Sequence, residues 1–346
     1  PESHAASFAL LVYASAWIKH HHPGIFACAL LNSQPMGFYA PAQIVRDARE
    51  HDVTVLPICI NASYWDNVME PDPNGGLALR LGFRQIDGFR EAWAEEIMAA
   101  RPFRTIEELA HKTSLPARAL RLLADADACR SLGLDRRQAL WEVRRTPVNT
   151  LPLFEAAQAR ELGEEKNARL PAMTRGEHVV ADYQSIRLSL KGHPMEFLRE
   201  TFHSMGVLSC AEIAQAENGS QAKVAGVVLI RQRPGTAKGV CFITLEDESG
   251  VANLVIWPKM FEAYRRVIMA ARLLVVKGRV QSDGRVIHVV ADHLENRTER
   301  LDGLADVEMP AVTARGDHPT HPIPGQDSPR KHPRDVRVIP KSRDFH

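Results

Sequence analysis

The chain has 346 residues, of which 45% are hydrophobic and 25% charged, and its formal net charge is +1. This length allows two or three domains, and the composition is that of an ordinary globular protein. A net charge near zero excludes a global attraction to nucleic acid or membrane, so any such attraction is local. The five cysteines are far apart and form no C-x-x-C pair. They argue against a zinc site or a disulfide framework and fit a reducing cytoplasm.

The apolar run from Ala5 to Ile18 predicts a helix that is buried on nearly all sides. It is shorter than the roughly 20 residues that a bilayer requires, and it lacks the features of a secretory leader. Ser3 is at the expected N-cap, and Pro23 is expected to begin the next helix. Because such a helix needs a large protein around it, we expect further segments upstream.

The segment "PAQIVRDAREHDVTVLPICINAS" predicts a helix, a turn at His51 and Asp52, and a strand over 53–60. Together with "SHAASFALLVYASAWIKHHHPGIFACALLNSQP" and "QPMGFYAPAQIVRDA", it resembles the late fingers region of bacterial C-family DNA polymerases. The similarity is closest to the damage-induced, error-prone paralogue of the polymerase III alpha subunit, and it extends to the last residue. The resemblance implies a C-terminal fragment of a longer polymerase. It also implies that Ser3 and His4, in the "SHA" segment, lie close to the incoming nucleotide.

Two short helical hairpins are predicted next. In "QIDGFR", a tight turn around Gly88 is expected to point backbone N–H groups at a DNA phosphate. This segment resembles a helix-hairpin-helix motif, and "TSLPARALRLL" resembles a second one. The family has a second glycine where this chain has Arg90, which cannot adopt a glycine backbone cheaply but can contact phosphate itself. The alternative is a packing module without DNA contact.

Asp125 and Asp127 have the D-x-D spacing of metal-binding carboxylates. They stand at a predicted helix end, where Asp commonly caps or turns, so we assign them no catalytic role. The resemblance implies that the catalytic carboxylates and their Mg²⁺ lie in the palm, outside this chain. We therefore expect no catalytic residue, metal site or cofactor within it, and we expect the chain alone to be inactive.

The last folded region has the strand order of an OB-fold: three strands, a helix beginning at Pro258, and two further strands. Alternation places Cys241, Ile243 and Leu245 in the barrel, with Phe242, Thr244 and Glu246 outside. It likewise places Ala252, Leu254 and Ile256 inside and Asn253, Val255 and Trp257 outside. The predicted DNA-binding residues are Gly88, Arg90, Arg231, Arg233, Lys238, Phe242, Asn253 and Trp257.

Aromatic side chains among basic residues are typical of single-strand binding, with stacking for bases and cations for phosphates. Arg231, Arg233 and Lys238 frame the loop between the first two strands, beside Phe242. The alternative is a barrel whose aromatic residues only pack against the rest of its own protein.

The fold class is therefore multidomain α plus β: a helical fingers remnant, a tandem helix-hairpin-helix region, a five-stranded OB-fold barrel and a disordered tail. The predicted segments are the fingers end 1–70, the tandem hairpins 71–145, a linker 146–178, a helical connector 179–220, the OB-fold 221–297 and a flexible basic tail 298–346.

The function that the resemblance implies is template-directed DNA synthesis during translesion synthesis and damage-induced mutagenesis in the bacterial cytoplasm. The implied partners are primer-template and single-stranded DNA, deoxynucleoside triphosphates, and other damage-response or replication proteins, with no membrane. Two alternatives stay open. One is a non-catalytic single-strand-binding or scaffold protein, and the other is an RNA-binding barrel such as the anticodon-binding domain of a tRNA synthetase.

Overall fold

Two units make up the chain, Pro1–Lys191 and Gly192–His346. The computed structural model describes residues 2–36, 39–72, 75–146, 170–282 and 287–304. Most of the predicted linker and the predicted tail beyond residue 304 lie outside the described residues. The predicted architecture of helical hairpins followed by a five-stranded barrel is confirmed.

The first unit begins with helices α1 Glu2–His21, α2 Pro23–Asn32 and α3 Pro41–Glu50. Pro23 begins α2 as predicted, but α1 already includes Ser3, so the prediction of Ser3 as N-cap is wrong. No described helix is both long and apolar enough to span a membrane.

Within the described residues α1 is not buried on nearly all sides, so the predicted burial requires protein outside them. Most large apolar side chains from Phe8 to Ile18 are exposed, and Tyr13 is 70% exposed. Apolar composition leads to burial only where another surface covers the helix. The described residues contact α1 near its C-terminal end, where Lys19 Nζ lies 2.7 Å from Asp47 Oδ1 of α3.

A small sheet follows, with β1 Val55–Leu56, β2 Val68–Pro71 and β3 Leu77–Arg80 in the order β1-β3-β2. The prediction of a strand over 53–60 is wrong beyond Leu56. Pro57 has no N–H to donate, and its carbonyl oxygen accepts a hydrogen bond from Arg80 Nη1 at 2.9 Å. The N–H of Ile60 donates instead to the carbonyl of Ala128 at 3.0 Å.

Five helices complete this unit: α4 Glu91–Ala100, α5 Ile106–Lys112, α6 Ala117–Asp125, α7 Arg136–Arg145 and α8 Arg175–Ser185. They enclose an apolar core that includes the fully buried side chains of Phe83, Ile97 and Leu120. A capping box of Thr174 and Glu177 begins α8, inside the range predicted as linker.

The second unit begins with three short helices, a 3-10 helix Pro194–Leu198, α9 Arg199–Ser204 and α10 Cys210–Ile213. His193 caps the first of these but ends no helix, because α8 already ends at Ser185. A proline needs only an extended residue before it, which a loop supplies as well as a helix end.

The barrel strands are β4 Gln221–Gln232, β5 Cys241–Glu246, β6 Val251–Ile256, β7 Leu273–Ser282 and β8 Ile287–Asn296, with α11 Pro258–Ala270 between β6 and β7. They close in the order β4-β5-β6-β8-β7, with β6 parallel to β8 and the other pairs antiparallel. A Cβ on Gly278 would lie 2.1 Å from the Val290 carbonyl, so only glycine allows β7 and β8 to approach this closely.

Alternation assigned the barrel interior correctly. The side chains predicted inside, from Cys241 to Leu245 and from Ala252 to Ile256, are at most 3% exposed. Glu246, predicted outside the barrel, is nevertheless buried at 6% exposure, because His193 Nε2 lies 4.0 Å from its carboxylate on that outer face. The residues predicted to begin the flexible tail form α12 Thr298–Asp302, where Arg272 Nη2 lies 2.6 Å from Asp302 Oδ1.

Candidate nucleic-acid interface

The first hairpin turn follows a 3-10 helix, Phe83–Gln85, and carries Gly88 at φ +77°, which glycine adopts without strain. The N–H of Asp87 in this turn donates to the carbonyl of Ser185 at 2.9 Å. Arg187 Nη2 also lies 3.1 Å from the Asp87 carboxylate. Residues at and just after the end of α8 therefore hold Asp87 in place. Gly88, the next residue, is exposed, so its backbone is accessible to a phosphate.

Arg90 is the residue before α4, with φ −117° and ψ 144°. This is ordinary extended backbone, so the expected conformational penalty for arginine at this position is wrong. Its guanidinium carbon lies 5.1 Å from the centre of the Trp93 ring. A Cβ on Gly88 would lie 3.4 Å from Nη2 of Arg118 in α6, so a cation of the second hairpin stands beside the first turn.

The two aspartates with D-x-D spacing both face cations. Asp127 is buried and accepts hydrogen bonds from Arg130 Nε at 2.8 and 2.9 Å, with Lys191 Nζ 3.1 Å away. Burial raises the pKa of the Asp125 carboxyl, and Arg121 and Arg136 oppose that shift. Carboxylates already paired in this way do not fit a Mg²⁺ site. Among the described residues no group of three or more His, Cys, Asp or Glu side chains could hold a metal ion.

The three cations predicted around the loop between β4 and β5 have different surroundings. Arg231 Nη2 donates to the carbonyl of Ala271 at the end of α11, and Arg233 lies over the Phe261 ring at 4.2 Å. Lys238 is exposed, adopts φ +48°, and has no partner among the described residues. Lys238 is therefore the loop cation best placed to contact a ligand.

The aromatic residues lie on the outer surface of the barrel as predicted. Phe242 is 38% and Trp257 54% exposed. Phe242 is in register with Val255, and Trp257 follows two residues later on the same face. Asn253 Oδ1 accepts a hydrogen bond from Thr244 Oγ1 at 3.1 Å, so its amide nitrogen remains a donor. We call Phe242, Asn253 and Trp257 the aromatic face.

Sequence reasoning missed the part of this surface that β8 supplies. His288 is in register with Asn253, and Val290 with Val255. Nδ1 of His288 is buried and has no hydrogen-bond partner among the described residues. Alternation along β8 predicts which residues face outward. The parallel pairing of β6 with β8 joins strands that are far apart in the sequence. The sequence therefore does not show which residue of β8 lies beside which residue of β6.

Comparison with known proteins supports the assignment of a helix-hairpin-helix region and an OB-fold. A model described as a helix-hairpin-helix motif matches residues 52–139, and an OB-fold nucleic acid binding domain matches residues 222–297. The error-prone DNA polymerase of Brucella abortus biovar 1 (strain 9-941) is 56% identical over 350 residues, which cover 100% of this chain and 32% of that protein. That of Rhodopseudomonas palustris (strain BisA53) is 52% identical over 380 residues, covering 100% and 33%.

The chain is a homologue of bacterial error-prone DNA polymerases.

It spans about a third of the length of these polymerases. Its helix-hairpin-helix and OB-fold regions fit a C-terminal part of such an enzyme, and they make it a nucleic-acid-binding region. Among solved structures, asparaginyl-tRNA synthetase from Pyrococcus horikoshii aligns with 26% of this chain and 22% of its own at 22% identity and TM-score 0.24, too weak a likeness to inform function.

The two residues that the polymerase resemblance assigns to the nucleotide lie in α1, apart from the hairpins along the chain. His4 is exposed, and its ring centre lies 4.4 Å from that of Phe8. The Ser3 side chain lies outside the described residues. The structure brings neither residue to a phosphate-binding group, and their role remains a prediction from the resemblance.

Proposed function

We propose that the chain is the C-terminal DNA-binding part of an error-prone polymerase that acts in damage-induced translesion synthesis in the bacterial cytoplasm. In this proposal the chain holds DNA, and the palm carboxylates and their Mg²⁺ belong to the rest of the enzyme. Identity of 56% over the whole chain supports the polymerase assignment. The cation partners of Asp125 and Asp127 support the absence of chemistry in this part.

The two modules divide the DNA between them. The hairpins contact the sugar-phosphate backbone of the primer-template duplex through Gly88, with Arg90 and Arg118 nearby as cations. The barrel binds the single-stranded template, with Phe242 and Trp257 stacking on bases and Lys238 neutralising phosphate. In the assembled enzyme, deoxynucleoside triphosphates bind near Ser3 and His4. Replication or damage-response proteins are further partners of that enzyme, at sites that we do not assign.

The observation that carries this proposal is the aromatic face, exposed on a closed barrel beside an unpaired lysine. A side chain that served only packing within the second unit would be covered there, whereas Trp257 is 54% exposed. Exposed aromatic rings beside a cation are the chemistry that binds single strands without sequence preference.

The test is a titration of fluorescent oligo(dT) with the full chain. Because each stacked base is worth about 1–3 kcal/mol, Phe242→Ala with Trp257→Ala should weaken binding at least tenfold. Met269→Ala, which removes an exposed apolar side chain from α11, is the control and should bind like the parent. Absence of binding by the parent, or equal binding by the double variant, would contradict the proposal. Primer extension by the chain alone, with Mg²⁺ and all four nucleotides, should be absent.

A further inference from the structure

Two lysines face each other on the side of the barrel formed by β4 and β7. Lys223 and Lys277 are directly opposite in the antiparallel register. Neither lysine side chain has a hydrogen-bond or ion-pair partner among the described residues. In such a pair the Cβ atoms lie about 4.5–5.5 Å apart, and like charges there destabilise the sheet. Natural sequences keep local conflicts of this kind mainly at functional sites, and two adjacent ammonium groups suit an anion.

A third cation extends this pair. Arg279 follows Lys277 by two residues on the same outward face of β7, is exposed, and likewise has no partner among the described residues. The nearby carboxylates are engaged elsewhere. Asp292 accepts a hydrogen bond from Gln221 Nε2 at 3.3 Å, and Glu295 lies 2.6 Å from an Arg297 nitrogen and 3.5 Å from His293. We call Lys223, Lys277 and Arg279 the basic site.

One member of the basic site, Arg279, lies on the same cross-strand row as Phe242 of the aromatic face, and Lys277 precedes it by two residues on β7. Phe242 is in register with Val255, Val255 with Val290, and Val290 with Arg279. Phe242 and Arg279 are exposed, and the two valines between them are half-buried. With strands about 4.8 Å apart, the three steps from Phe242 to Arg279 cover roughly 14 Å of barrel surface.

The neighbouring row is polar. Thr244 is in register with Asn253, Asn253 with His288, and His288 with Gln281. The amide nitrogen of Asn253 is a hydrogen-bond donor beside the apolar row, and the exposed side chain of Gln281 lies at the end of the polar row. An apolar floor with hydrogen-bonding groups along one edge suits the bases and sugars of a strand.

We propose that a single strand bound to the aromatic face continues across β8 and that its phosphates bind the basic site on β7 and β4. This inference rests on the proposed function, because it requires the strand to be held at Phe242. At about 3.4 Å per nucleotide, the 14 Å between Phe242 and Arg279 holds roughly four stacked nucleotides. The basic site is therefore reached by longer strands and not by the shortest ones.

The test compares oligo(dT) of two and of twelve nucleotides, measured by competition against a labelled strand at several salt concentrations. The full chain is compared with the variant Lys223→Ala, Lys277→Ala, Arg279→Ala. In the parent, the longer strand should bind more tightly and with a slope of log affinity against log salt steeper by up to about two, from about 0.7 for each phosphate. In the triple variant, binding of two nucleotides should be unchanged and most of this gain should be lost.

The matched control is Arg265→Ala, Arg266→Ala, Arg300→Ala, which removes the same charge from exposed positions outside the row. It should keep the gain with length. Melting temperatures establish that each variant folds, and relief of the lysine pair should leave that of the triple variant unchanged or raised. A triple variant that keeps the parental gain, or a control that loses it equally, would overturn the inference while leaving the proposed function intact. A parent that binds neither strand would overturn both.

Discussion

Arg136 and Asp182 form an ion pair in which both side chains are 3% exposed, and the pair joins α7 to α8. Lys191 Nζ lies 2.9 Å from both oxygens of Asp182, and Ser189 Oγ donates to one of them at 2.7 Å. Arg136 also donates from Nε to the carbonyl of Asp125 at 2.9 Å. Because this cluster is buried and hydrogen-bonded, it fixes α8 against the tandem hairpins.

Removing one partner of this pair should destabilise the fold strongly. Asp182→Ala leaves the buried Arg136 without compensation, and we expect the free energy of unfolding to fall by about 3–5 kcal/mol. The exposed ion pair of Asp87 with Arg187 is the control. Asp87→Ala should lower the free energy of unfolding by less than about 1 kcal/mol. Urea unfolding followed by tryptophan fluorescence measures both. Equal losses would show that the buried pair is not a stabilising joint.

Low pH should remove the contribution of the Asp247 carboxylate to the free energy of unfolding. Burial alone raises the pKa of this carboxyl. Hydrogen bonds from Ser249 and Cys210, together with Arg199, outweigh burial and hold its pKa below the ordinary value. A lowered pKa stabilises the fold above the unfolded value of about 3.9, and this stability is lost as pH falls through the folded value.

We therefore expect Asp247→Asn to lower the free energy of unfolding by about 1.5–3 kcal/mol at pH 7. The difference from the parent should shrink as pH falls below about 4. Unfolding by urea at a series of pH values from 7 to 3 measures it. A difference that stays constant over this range would mean that the charge of the Asp247 carboxylate does not stabilise the fold.

The loop cations should separate into one that binds and one that stabilises. Lys238→Ala should flatten the slope of log affinity for oligo(dT) against log salt by about 0.7 and leave the melting temperature unchanged. Arg231→Ala should lower the melting temperature and keep the slope, because its guanidinium donates to the Ala271 carbonyl. Parallel salt titrations and thermal melts of the two variants test this. The opposite assignment of effects would contradict the site.

His4 should affect nucleotide use in a complete polymerase that carries this chain. Its side chain is exposed in the first turn of α1, so its removal costs little packing. His4→Ala should weaken the apparent affinity for the incoming nucleotide and leave the melting temperature nearly unchanged. Steady-state kinetics with varied nucleotide, beside a thermal melt, measure both. A large loss of stability with normal kinetics would assign His4 to helix formation alone.

The sequence predicted what depends on local pattern. Strand alternation placed Phe242 and Trp257 outside the barrel, because a side-chain period of two holds along any strand. The same rule places Glu246 outside the barrel but does not predict its burial, which results from the packing of His193 over that position. Burial of an outward face depends on what packs against it, which alternation does not contain.

Features that the sequence did not show come from non-local contacts. Arg231 is predicted to bind DNA, and the sequence does not show that its guanidinium donates to the carbonyl of Ala271, far along the chain. The predicted strand after His51 is shorter because Ile60 bonds with Ala128 instead of a neighbouring strand. The basic site was missed because Lys223 and Lys277 are adjacent only after the barrel has closed.

The most direct test of the account is where a single strand touches the chain. An oligonucleotide containing 5-bromodeoxyuridine, irradiated in complex with the full chain and digested, yields peptides that mass spectrometry can identify. The account predicts crosslinks to Phe242 or Trp257, and their loss when excess unlabelled oligo(dT) competes. Crosslinks confined to α1 or to the tandem hairpins, with none on β5, β6 or the residue that follows β6, would contradict it.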